Sequence, residues 1–298
     1  MSIPDGIRQD VELKPHTWMK VGGKADYFAE VRTKEELLEA FAVAKEKKLP
    51  ILYLGQGSNL IISDEGFRGV VIHLVNDQVK VDSEYSSTEA LVSVEGGKIL
   101  SRLIHELRKQ GLNGLDNFVG IPGVVGSAVR GNIGIPQEEF GELVKNVEIF
   151  DGKSFRTFSQ EACEFSYRGS KIKNEYWLLW KADVIVRKGA PPKKDKILLS
   201  RIAKQPKGHS CGSFFKNPVP KEIYAGKVIE DSGLKGLRKG GAFISEKHAN
   251  FLMNDGTATA HDIVEVARQV KREVLARKGI VLENEVLLYD QWGKEIKL

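Results

Sequence analysis

Two cysteines in 298 residues, Cys163 and Cys211, cannot staple a fold, so a disulfide-built secreted scaffold is excluded. Long apolar runs are missing as well: none approaches the roughly 18 residues that a membrane span requires. The first ten residues lack the charged-then-apolar pattern of a secretory signal, and the expectation is a cytoplasmic chain. A strong charge of one sign is also absent. Lys and Arg number 45 against 40 Asp and Glu, and the net +5 makes no case for nucleic acid. There is no H-E-x-x-H pattern and no paired-cysteine spacing, so no metal site is read. Internal repeats and low-complexity tracts are missing too.

What charge there is lies unevenly. Residues 191–283 carry 18 Lys or Arg and 10 Asp or Glu, a balance of +8 that leaves −3 for the rest of the chain. A basic C-terminal third suits an anionic small-molecule ligand, and a scatter of surface charge accounts for it equally well.

Hydrophobic spacing predicts a helix from Thr33 to Leu49, opened by a Thr33–Glu36 capping box with Leu37, Phe41 and Ala44 on one face. Strands are expected at Ile51–Leu54, Val70–Leu74, Leu91–Glu95, Val144–Phe150 and Leu178–Val186, with a helix over Lys98–Gln110 that stops at Gly111. The segment from Lys188 to Asp195 is polar and carries Pro191-Pro192, which makes it the best candidate hinge. Beyond it, Thr259 and Asp262 cap a long helix reaching about Lys278, with Ile263, Val266, Val270 and Val274 inward. Strands and helices mix without regular alternation, so the fold class read is α+β.

Several familiar motifs fail on inspection. Gly55-Gln56-Gly57-Ser58-Asn59-Leu60 begins like G-x-G-x-x-G, but Leu60 replaces the last glycine and no helix pattern follows. Gly152-Lys153-Ser154 ends like a P-loop, yet Val147 stands at its first glycine. Gly208-His209-Ser210-Cys211-Gly212 matches G-x-S-x-G by letter but lacks the strand-to-helix context of a nucleophile elbow. Two glycine-rich turns remain, Gly55–Leu60 and Gly120-Ile121-Pro122-Gly123-Val124-Val125-Gly126-Ser127. Glycine allows close backbone approach, so converging N–H groups can hold a phosphate. A diphosphate-bearing FAD fits two such turns without a Rossmann pattern.

In order along nearly the whole chain, further segments resemble the MurB-type UDP-N-acetylenolpyruvoylglucosamine reductases. These are His16-Thr17-Trp18 with Val21–Asp26, both glycine turns, Tyr167-Arg168-Gly169-Ser170, and Gly212-Ser213-Phe214-Phe215-Lys216-Asn217-Pro218. Ala225–Gly236, Gly241-Ala242, Ser245, His248–Phe251 and Leu282–Val286 complete the set. Only 45 positions separate Arg168 from Ser213, which resembles the shorter class without an inserted substrate loop. Three positions depart from the family pattern: Ser127 for a glycine, Ile133-Gly134-Ile135-Pro136 after Asn132, and Asn284 for a proline.

The resemblance implies a two-part FAD-binding module of the vanillyl-alcohol-oxidase (PCMH) type over residues 1–75 and 76–190. A substrate domain over 191–283 follows, with the tail 284–298 packing on the first part. It implies reduction of a UDP-sugar enolpyruvyl ether by FAD and NADPH, with Ser213 as proton donor and Arg168 and Glu285 stabilising developing charge. Gly55, Gly57, Ser58, Asn59, Leu60, Gly120, Pro122, Gly123, Gly126, Ser127 and Asn132 are the implied flavin contacts. Lys216, Asn217 and Lys227 are the implied diphosphate contacts. Beside these roles stand two lesser readings: Arg168 as a structural ion-pair partner, and Glu283 as the functional carboxylate in place of Glu285. Cys211 is packing or a reactive thiol, and His248 is structural. An oxidase of the same flavoprotein superfamily and a non-catalytic nucleotide-binding module are the competing functions.

Overall fold

In the computed structural model, which describes residues 3–135, 138–190, 196–218 and 223–298, three larger sheets and two of two strands are formed. The first has strand order Ile7–Glu12, Lys24–Val31, Phe67–Leu74, Ile51–Leu54, antiparallel at the first pair and parallel at the other two. Helix Lys34–Lys47 lies on it, and both halves of the Thr33–Glu36 capping box form. Its buried side is Leu37, Ala40, Val43 and Ala44, with Phe41 only partly buried.

The second sheet is antiparallel, ordered Phe155–Ser159, Val144–Phe150, Leu178–Lys188, Glu89–Glu95, Val79–Asp82, with Leu112–Asn113 on the end of its long central strand. The predicted helix over Lys98–Gln110 is found as Leu100–Lys109, burying Leu100, Leu103, Ile104 and Leu107. The third sheet runs His209–Ser213, Phe251–Asn254, Ala242–Ile244, Arg238–Lys239. Its core is completed by helices Ala225–Asp231 and Ala260–Lys278. The α+β reading stands. The hinge expected at Lys188–Asp195 has its Pro191–Asp195 part outside the described residues.

The letter match Gly208–Gly212 falls on strand His209–Ser213, with Ser210 buried, so no nucleophile elbow exists. Leu60–Ile62 is a strand, not a helix, which agrees with rejecting a Rossmann site. Four short helices among the described residues escaped the sequence reading: Val125–Arg130, whose glycine and serine mask its periodicity, and Lys171–Asn174, Lys196–Lys204 and Ala225–Asp231, which hold too few turns to show one.

The three parts are sewn together by the chain returning on itself. Strand Leu287–Tyr289 pairs in parallel with Leu60–Ile62, so the C-terminus completes the edge beside the first glycine turn. Met19, Val21 and Ile61 enter the core of the third part, and Asn254 donates from Nδ2 to the Met19 carbonyl at 2.8 Å. Asp64 caps helix Ala260–Lys278 from outside: its two carboxylate oxygens accept the Ala260 and His261 N–H groups at 2.8 and 3.0 Å. A carboxylate at a helix N-terminus gains from both charge-assisted bonds and the helix dipole. Asp64→Ala should therefore lower the apparent unfolding free energy by about 1–3 kcal/mol. A urea titration that matches wild type would mean the cap carries no weight.

Candidate active site

The two glycine turns face each other across one cleft of about 330 Å³. Gln56 ties them, its Oε1 accepting the Gly123 N–H at 2.9 Å, and Ser58 Oγ donates to the Pro122 carbonyl at 3.4 Å. Glycine is required by space as much as by conformation. A Cβ on Gly55 would sit 2.6 Å from Val124 Cγ2, and one on Gly57 (φ +62°) 2.2 Å from the His16 carbonyl oxygen. Gly55, Gly57, Ser58, Asn59, Leu60, Gly120, Pro122, Gly126 and Ser127 all line the cleft.

Gly123 and Asn132 do not line it. Asn132 is buried and spends its side chain on structure: Oδ1 accepts the Gly141 N–H at 2.8 Å, and Nδ2 donates to Glu139 and to the Ser166 carbonyl. Ser127 Oγ accepts the Val124 N–H at 3.3 Å, which holds the start of its own helix, and donates to the Val124 carbonyl at 2.8 Å.

Arg168, Ser213 and Glu285 converge on this cleft from separate stretches of chain. Arg168 sits in the tight turn Ser166–Gly169, closed by two reciprocal backbone bonds of 3.1 and 3.0 Å. Its φ of +57° is a left-handed conformation that costs a non-glycine residue about 1–2 kcal/mol. Such strain is kept where the surroundings hold it, and here they do. Arg168 Nε donates to Glu285 Oε1 at 2.8 Å, and its other guanidinium arm to the Gly134 carbonyl at 3.1 Å.

Glu285 is aimed by backbone pairing: its N–H donates to the Phe214 carbonyl at 2.9 Å, and its own carbonyl accepts Asn59 Nδ2 at 3.2 Å. Asn284 bridges to Phe215 just before it, so a proline is not needed for that register. Glu283 points elsewhere, onto Lys216 at 3.2 Å, and does not line the cleft.

Ser213 ends the strand His209–Ser213, where the pairing with Phe251–Asn254 slips between Ser210 and Ser213. Gly212 takes φ +74° inside that irregularity with open space around it. The bulge re-aims the next side chain, and Ser213 emerges exposed while Phe214 and Phe215 turn into the core. Asn250 locks the far side, accepting the Phe215 N–H at Oδ1 (3.0 Å) and donating to its carbonyl (2.9 Å).

The residues expected at a diphosphate lie outside the cleft lining. Lys227 is exposed and paired with Asp231 one helical turn on, and Asn217 accepts the Ala225 N–H at 3.1 Å, fixing the start of that helix. Among the described residues, the cleft's cations are instead Arg130, Arg168, Lys173 and Arg201 against the single carboxylate Glu285. Only Arg201 belongs to the basic stretch of residues 191–283. Among the described residues, the Nε atoms of Arg130 and Arg201 are buried with no hydrogen-bond partner. Burial, and then Arg168 nearby, push the pKa of Arg201 down. A positive excess in a cleft favours anions there. Tyr53 and Tyr176 add stacked rings 5.3 Å apart. A dinucleotide with a diphosphate and flat rings fits these features.

Sequence reasoning missed Arg130, Lys173 and Arg201. The first two follow recognised motifs by a few residues and were within reach. Arg201 comes on helix Lys196–Lys204, and nothing local indicates which way that helix faces. Cys211 is packing: burial pushes its thiol up to about 12, and Sγ lies 3.8 Å from the Leu60 carbonyl. His248 is likewise structural, its Nδ1 accepting the Asn250 N–H at 3.2 Å.

Residues 204–289 match the family described as UDP-N-acetylenolpyruvoylglucosamine reductase, C-terminal domain, and residues 25–154 match the FAD binding domain family. A curated UDP-N-acetylenolpyruvoylglucosamine reductase of Clostridioides difficile (strain 630) is 37% identical over 289 residues, covering 95% of this chain and 93% of its own. The relative numbered 2 in Symbiobacterium thermophilum is 38% identical, with coverages of 97% and 93%. The crystal structure of the Thermus caldophilus reductase (MurB) superposes with a TM-score of 0.79 at 34% identity, over 95% of this chain and 99% of that one. With these matches running through both glycine turns and through the segments bearing Arg168, Ser213 and Glu285, the chain belongs to the UDP-N-acetylenolpyruvoylglucosamine reductase family.

Proposed function

We propose that this chain is a cytoplasmic enzyme that uses FAD and NADPH to reduce UDP-N-acetylenolpyruvoylglucosamine to UDP-N-acetylmuramate in peptidoglycan precursor synthesis. The observation that carries the reading is the convergence of Arg168, Ser213 and Glu285 on a cationic cleft walled by two glycine turns. Gly55, Gly57, Gly120 and Gly126, with Ser58, Asn59 and Ser127, would hold the cofactor, and Arg130 and Arg201 line the cleft as cations that favour its anionic groups. FAD, when bound, supplies the hydride chemistry that no side chain can carry, recharged from NADPH.

The side chains handle charge and the proton. Reduction of an enol ether conjugated to a carboxylate builds negative charge on the carbon next to that carboxylate. Arg168, held in place by Glu285 and the Gly134 carbonyl, presents fixed positive charge to it without reorganising. Ser213 holds a proton on Oγ for that carbon. Serine is a weak acid by itself, and the cleft's excess of cations favours the alkoxide it leaves.

An anaerobic mixing experiment tests the reading. NADPH should bleach the bound flavin, and the enolpyruvyl sugar nucleotide should then restore its oxidised absorbance while forming UDP-N-acetylmuramate. A bleached flavin that stays bleached on mixing rules the substrate out.

A further inference from the structure

Lys173 lines the same cleft, and no role has fallen to it. It sits in the short helix Lys171–Asn174, whose start is held by Ser170: Oγ accepts the Lys173 N–H at 3.2 Å and donates to the Arg130 carbonyl at 2.7 Å. From there the side chain turns back, and Nζ donates to the Arg168 carbonyl at 2.9 Å. That carbonyl belongs to the residue in the disfavoured left-handed conformation. The ammonium therefore fixes from behind the peptide whose side chain Glu285 and Gly134 fix from the front.

An ammonium holds that carbonyl harder than a neutral amine does, because a bond from an ionised donor is the stronger one. The charge of Lys173 is also uncompensated. Glu285 is committed to Arg168 and Glu283 to Lys216, and among the described residues Lys173 forms no ion pair. Its surroundings disfavour the charge: burial first, then Lys216 and Arg130, with Glu285 and Glu295 opposing.

We propose that Lys173 is a positioning residue for the reduction: its ammonium clamps the Arg168 peptide and so seats the guanidinium against Glu285 for the reacting anion. The proposal rests on the function given above. In Lys173→Met, reoxidation by the enolpyruvyl sugar nucleotide should slow at least tenfold, and at least fivefold more than reduction of the flavin by NADPH slows. Lys173→Arg should recover most of that loss. Because Lys173 acts through Arg168, adding Lys173→Met to Arg168→Ala should cost less than a further twofold.

The pH profile separates this from a merely structural role. Protonated Lys173 is the competent form and its pKa is lowered, so wild-type reoxidation should fall as pH rises, beginning below the ordinary lysine range. That limb should vanish in Lys173→Arg, which does not titrate. Flavin content and thermal midpoint monitor folding, and should Lys173→Met not fold, the Lys173→Arg profile carries the test. Three results overturn the proposal: wild-type reoxidation in Lys173→Met, an undiminished loss on the Arg168→Ala background, or an alkaline limb that persists in Lys173→Arg. If wild-type enzyme itself is not reoxidised by the enol ether, the proposed function fails and not this residue's role within it.

Discussion

Ser213→Ala should slow reoxidation of the NADPH-reduced protein by the enolpyruvyl sugar nucleotide by about 10²–10⁴-fold, the usual worth of a positioned general acid. The preceding step, bleaching of the flavin by NADPH, should keep its rate. The asymmetry follows from position. Ser213 is exposed at the end of a strand, its backbone held by pairing with Phe251 and its neighbours Phe214 and Phe215 buried. Removing one oxygen from an exposed side chain leaves that pairing intact, so stability and cofactor content should not change. Stopped-flow absorbance resolves the two half-reactions separately. Equal rates of reoxidation in the variant and the wild type would remove Ser213 from the proton transfer.

Gly57→Ala should have the largest effect on the fold and on cofactor retention. A Cβ there meets the His16 carbonyl oxygen at 2.2 Å and Thr17 Cα at 2.9 Å, both backbone atoms that no rotamer change can move. The same two loop segments are bonded at that point, with the Trp18 N–H donating to the Gly57 carbonyl at 2.9 Å. Overpacking of this kind costs about 1–3 kcal/mol, and the left-handed φ adds about 1–2 kcal/mol. The expected result is a loss of roughly 2–5 kcal/mol with protein that purifies largely colourless.

Gly279→Ala is the control. Gly279 has nearly the same φ, +67°, at the end of helix Ala260–Lys278, and nothing lies within 4 Å of its Cβ position. It should lose only the conformational part, about 1 kcal/mol, and remain yellow. Equal losses at both glycines would show that close approach at the first turn is not what selects glycine there.

Much of the local structure was legible because local rules decide it. Thr33 and Glu36 form their capping box from side chains three residues apart, and Thr259 and Asp262 do the same. The two glycine turns declare themselves by composition. The family resemblance added the order of the motifs, and with it the implied roles of Arg168, Ser213 and Glu285. Spacing could not have supplied those roles, because no local rule links positions 168, 213 and 285.

What remained for the tertiary structure was direction. How helix Ala225–Asp231 docks sets the neighbours of Lys216, Asn217 and Lys227, which are Glu283, the Ala225 N–H and Asp231. Asn132 sits beside the second turn in sequence yet is consumed in holding Gly141 and Ser166. Arg130, Lys173 and Arg201 were ordinary basic residues until the sheets brought them to one cleft. Sequence alone determined which segments turn, which coil and which family they resemble, since capping, periodicity and glycine content act within a few residues. Only the folded chain decided which charges meet, because a side chain's partner is set by packing between segments more than a hundred residues apart, as Arg168 and Glu285 are.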